Sequence, residues 1–161
     1  MNESKNKMDV KDYPGITDEK NLVAPCGNFC GACDMYRCAA HGNRAGQEKL
    51  AERFRKHLGM PDAQTEWMVC VPCRQNLEKC WSADCKVFHC CVKEKGLDFC
   101  FECDDFPCDL LKPCSGCAPA HNLKVFNLVR IQKLGWKKWL EEATADPREL
   151  HARYFNDPLK K

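Results

Sequence analysis

No run of about 18 apolar residues occurs in the 161-residue chain, so no segment is long enough to cross a bilayer as a helix. The first 20 residues are polar and charged and hold no apolar stretch of the kind a secretory signal needs. Both absences point to a cytoplasmic, reducing setting, in which cysteines serve as metal ligands or reactive thiols more readily than as disulfides. An excess of one charge is missing as well. With 25 basic and 23 acidic residues the formal net charge is +2, which gives no electrostatic case for nucleic acid or for an anionic membrane. No glycine-rich phosphate loop and no Gly-x-Ser-x-Gly elbow is present. Residues 22–120 hold few long apolar-periodic segments, and a region with so little aliphatic core needs staples.

What the chain has instead is cysteine. There are 15, all between Cys26 and Cys117. A density near one residue in eleven is that of a disulfide or metal scaffold. The odd count and the expected reducing setting favour metal. The unit Cys-x-x-Cys occurs four times: Cys30–Cys33, Cys70–Cys73, Cys100–Cys103 and Cys114–Cys117.

Three clusters follow in order. Cys26, Cys30 and Cys33, with Cys38 a little downstream, converge on one ion if Gly27 and Gly31 let the backbone turn tightly. The alternative for Cys38 is a small buried hydrophobe. Cys70 and Cys73 with Cys85 and Cys90 form two pairs separated by a loop, the ordinary spacing of structural zinc. Cys80 and Cys91 compete for places in that set, and His89 is a weaker candidate. Cys100, Cys103 and Cys108 make the third cluster, with Cys114 or Cys117 as a fourth ligand. His41 or His121 is available to complete a mixed site. Two or three zinc ions per chain are expected, since 15 thiols fill at most three all-cysteine tetrahedra. Three such sites would move the net charge to roughly −4. The alternative is a [4Fe-4S] cluster on Cys26, Cys30 and Cys33, because sulfur sites suit zinc and iron–sulfur alike. The ferredoxin spacing is absent, however, and Pro107 precedes its cysteine instead of following it. The chain is also too short for the strand–helix alternation of a radical S-adenosylmethionine enzyme, whose cluster spacing the first motif shares.

The expected fold is a small α-rich, metal-stapled domain of zinc-knuckle loops and short helices, with little strand and with C-terminal helices packed on it. Residues 1–21 read as a flexible tail, 22–145 as the cysteine-rich domain, and 146–161 as a C-terminal helix and tail. Periodicity and glycine stops predict helices over 47–58, 86–95, 122–134 and 136–143. Asp146-Pro147-Arg148-Glu149 is a further helix start signal. A knuckle hairpin is expected near residues 67–71. Phe54, Trp136 and Trp139 are expected to face inward.

Taken together, Cys26-Gly27-x-x-Cys30-x-x-Cys33, Cys70-x-x-Cys73-Arg74, Cys85-x4-Cys90, Glu94-Lys95-Gly96, Cys100-x-x-Cys103 and Asp105-Phe106-Pro107-Cys108 resemble an uncharacterised cysteine-rich prokaryotic family, domain of unknown function 3795. His121, Leu134-Gly135 and Trp139-Leu140 extend the resemblance over roughly residues 24–142. It implies a small domain of metal-binding type and brings no activity with it. Relative to that pattern Cys38, Cys80, Cys91, Cys114 and Cys117 are extras. The function expected is a metal-binding domain, with structural zinc sites, that serves as a protein-interaction or adaptor module. The alternatives are an iron–sulfur or redox protein and a small metalloenzyme with one open site.

Overall fold

The computed structural model describes residues 12–113 and 122–145. Its helices are α1 (Asp34–Ala40), α2 (Arg44–His57), α3 (Lys86–Phe88, running on as a π-type turn over His89–Glu94), α4 (Lys124–Leu134) and α5 (Trp136–Ala145). Single 3-10 turns punctuate the loops between them. Among the described residues the only β pairing is one isolated bridge, Val23 to Phe29. The domain is therefore small and α-rich. The segment expected as a hairpin near residues 67–71 instead begins as a 3-10 turn, Thr65–Trp67. One loop bond, from Val71 N–H to the Lys79 carbonyl at 3.2 Å, is what remains of the knuckle. No helix among the described residues is long and apolar enough to cross a membrane.

Glycine ends three of the predicted helices as read from the sequence. Gly59, Gly96 and Gly135 take φ of +66°, +64° and +80°, a backbone region that costs glycine little. α1 was not foreseen. It is short, and its stripe, Met35 and Tyr36, is too brief to register as a period. The helix signal at Asp146 lies outside the described residues.

Two apolar clusters form the core. The larger gathers Leu22, Val23, Phe29, Tyr36, Phe99, Leu128, Ile131, Trp139 and Leu140. The smaller holds Met35, Ala51, Ala63 and Met68, with Phe54 and Leu50 at its edge. Trp139 is fully buried, as its helical spacing implied. Phe54 is only half-buried, its ring edge-on to Trp81 with centroids 5.2 Å apart. Residues 12–21 are not free of the core. Ile16 is buried, Tyr13 packs on the Phe29 ring, and the Tyr36 hydroxyl donates to the Pro14 carbonyl at 3.0 Å. The polar composition of this stretch hid the two side chains that anchor it.

Arg74 is the tie between distant segments. Its side chain is 10% exposed. Nε donates to the Val23 carbonyl at 2.6 Å, and Nη2 donates to the Asp98 carbonyl. The guanidinium also lies over the Phe99 ring, 4.6 Å from its centroid. Three chain segments are thus held by one planar cation, a task a lysine's point charge cannot duplicate. Arg74→Ala should cost about 2–4 kcal/mol, because two backbone carbonyls lose a charged donor at a half-buried site. Arg74→Lys should recover less than half of that. Denaturant unfolding measures both, and equal stability of all three proteins would refute the role.

Candidate metal centre

The described cysteines are all free thiols. The structure regroups them across the three sequence clusters. Cys30 is partly buried, and desolvation pushes its thiol well above the ordinary range; the neighbouring Cys73, Cys33, Cys26 and Cys80 push it further. Cys73 is pushed up to about 12, by burial and then by Cys26, Cys80 and Cys85. Burial also raises Cys26 and Cys33, with added repulsion from Cys85 on the first and from Cys80 on the second. Cys70 is raised by its hydrogen bond with Cys80, then by burial and by Cys33. The same shared proton lowers Cys80. Cys26, Cys30, Cys33, Cys70, Cys73, Cys80 and Cys85, the first centre, are thus near enough to sense one another's charge, and the Cys70 and Cys80 sulfurs stand 3.9 Å apart.

Local structure explains the convergence. Cys30 opens a 3-10 turn that closes at Cys33, and Cys33 in turn caps α1. The first N–H groups of that helix, on Met35 and Tyr36, point at the Cys33 sulfur. Trp81 N–H donates to Cys70 Sγ at 3.3 Å. Such N–H groups favour thiolate over thiol. Gly27 makes the tight turn expected of it, closed by its N–H to the Ala24 carbonyl at 2.9 Å. Gly27 takes φ +85°, and a Cβ there would stand 2.7 Å from the Lys124 carbonyl oxygen in α4. A Cβ on Gly31 would stand 2.5 Å from the Phe29 ring. Both glycines also allow close packing behind the sulfurs. Asn127, buried in α4, secures the same loop by donating Nδ2–H to the Gly27 carbonyl at 2.8 Å.

Two expected ligands are placed elsewhere. Cys38 lies on α1 against Gly46 of α2, and the charges it feels come from Asp34 and Arg37. Its surroundings are those of a packed small side chain. Cys90, expected beside Cys70 and Cys73, lines a separate cavity of about 500 Å³ together with Cys91, Cys100, Cys103 and Cys108. α3 carries it there, since Cys85 caps the start of that helix on the first centre while Cys90 lies on its continuation. Cys91 and Cys100 are both buried and share a hydrogen bond, which raises Cys100 and lowers Cys91. Cys114, Cys117 and His121 lie outside the described residues. His41 and His89 are exposed.

Cys80 is the member of the first centre that spacing ranked only as a substitute. Its signal was present: it stands in the middle of the loop between Cys73 and Cys85, where a loop ligand belongs.

As the side chains stand, no three His, Cys, Asp or Glu among the described residues are gathered tightly enough to grip one ion. The donor chemistry nonetheless fits a thiophilic metal. The sulfurs are free, crowded, desolvated and faced by N–H groups, and their mutual repulsion is what a bound cation would reverse.

A small α-rich domain whose cysteines meet across distant segments is the class that fold and centre define. The chain belongs to the family described as Protein of unknown function (DUF3795), which matches residues 22–113, more than half its length. No curated protein and no solved structure matches it.

Proposed function

We propose that this protein is a zinc-binding domain in which the first thiol centre holds a structural metal ion, with Cys33, Cys70 and Cys80 as ligands and Cys30 or Cys73 as the fourth. The observation that carries this reading is the separation of 3.9 Å between Cys70 Sγ and Cys80 Sγ. Zinc–sulfur bonds of about 2.3 Å in a tetrahedron put ligand sulfurs about 3.8 Å apart. Thiol rotation about χ1 is the adjustment that brings the remaining sulfurs in. When bound, the metal supplies a link between the 26–33 loop and the 70–85 loop, where little apolar surface is buried. Its chemistry there is structural, because the centre is crowded by protein sulfur with no need of an outside ligand.

An adaptor role goes with this reading. Trp67, Val69 and Trp81 are exposed beside the centre, and large apolar side chains left in water near a rigid staple suit contact with a protein partner.

Metal analysis of protein purified without oxygen tests the proposal. The wild type should carry zinc, and the double variant Cys70→Ser, Cys80→Ser should lose at least one equivalent. Iron with sulfide and a visible charge-transfer band would replace zinc with an iron–sulfur centre. Full zinc content in the double variant would refute the ligand set.

A further inference from the structure

We infer that the cavity around Cys103 is a second, exchangeable site for a thiophilic divalent cation, held by Cys90, Cys103 and Cys108. The inference rests on the reading of these thiols as metal ligands and adds a distinct site with a distinct behaviour. Three separate pieces of chain bring the sulfurs to one cavity: the continuation of α3, the end of the Cys100–Glu102 turn, and the residue before the Asp109–Leu111 turn. Cys100 lines the same cavity but is buried, so it is left out of the solvent-accessible ligand set.

The charge balance of the site is specific. Lys95 Nζ lies 2.9 Å from Cys103 Sγ and 3.0 Å from Asp105 Oδ2. Exchanging three thiol protons for one divalent ion turns a neutral set of sulfurs into a complex of charge −1. The ammonium beside Cys103 opposes that negative charge and donates to the sulfur, in the way that outer groups steady metal ligands. Lys95 is thus a positioning residue for the metal.

Exchangeability follows from access. Cys90, Cys103 and Cys108 are only half-buried, and the cavity opens to solvent. Three thiols leave the fourth coordination position to an outside ligand, such as an attacking thiol or chelator. The first centre, by contrast, offers a fourth protein sulfur, Cys30 or Cys73, and needs no outside ligand.

The zinc-loaded full-length protein, challenged with the chromogenic chelator 4-(2-pyridylazo)resorcinol, tests the inference. Zinc should leave in two phases, and the double variant Cys103→Ser, Cys108→Ser should lack the fast one while keeping the slow one. Lys95→Met should weaken the fast-releasing site by about tenfold, a surface change that does not threaten folding and that keeps the test decisive if the double variant fails to fold. Release in a single slow phase, a fast phase that survives the double variant, or unchanged affinity in Lys95→Met would each overturn the second site. Total absence of bound zinc would instead overturn the metal reading itself.

Discussion

On the proposed zinc reading, removal of the metal should abolish cooperative unfolding of this protein. The 26–33 loop is anchored in the larger apolar cluster through Phe29, but the 70–85 segment has fewer sources of stability: the Arg74 ties and the edge of a small cluster of two methionines and two alanines, Met35, Met68, Ala51 and Ala63. The backbone bonds of both segments are isolated turns with no ladder behind them. A structural zinc contributes an apparent binding energy on the order of 10 kcal/mol. That equals most of the total stability of a small domain, about 5–15 kcal/mol. The expected result is a chain that keeps part of its helical circular dichroism from α4 and α5 but loses its thermal transition. Zinc added back under reducing conditions should restore the transition. A metal-free protein that melts at the same temperature and as sharply as the loaded one would show that the apolar core suffices.

Gly27→Ala should destabilise the protein by about 3 kcal/mol or more. Two costs add. The backbone φ of +85° disfavours any residue with a Cβ by roughly 1–2 kcal/mol. The new methyl would also meet the Lys124 carbonyl oxygen at 2.7 Å and Leu128 Cγ at 2.9 Å, so α4 must move away from the 24–28 loop. That movement would also stretch the bond between Asn127 and the Gly27 carbonyl. Gly15→Ala is the control, because Gly15 has φ +81° and nothing within 4 Å of its added Cβ. It should show the backbone cost alone. Urea midpoints separate the two variants; equal losses would mean that α4 yields to the methyl without penalty.

Much of this architecture is legible in the sequence. The period of Leu50, Phe54 and Leu58 and the stop at Gly59 located α2 to within three residues at its start. Gly135 divided α4 from α5 as expected. The cysteine spacing and the folded chain group the thiols differently. Cys70, Cys73, Cys85 and Cys90 read as one set because they are near in sequence. In the folded chain Cys70 lies against Cys80, Cys73 is near enough to Cys26 and Cys30 to feel their charge, and Cys90 shares a cavity with Cys103 and Cys108. Spacing states which thiols can reach a common point through a short loop. It does not state which loops pack against each other.

The sequence by itself therefore determined the class of the molecule: an α-rich chain with little aliphatic core, free cysteines in number, and glycines where helices stop. Those features depend on local period, composition and backbone freedom, all carried by neighbouring residues. Only the tertiary structure decided the partnerships. Arg74 joins Val23 to Asp98, Gly27 admits α4, and α3 carries Cys85 and Cys90 to different centres. Each of these depends on a contact between segments far apart in the chain, and such contacts are set by packing shape and the burial of charge.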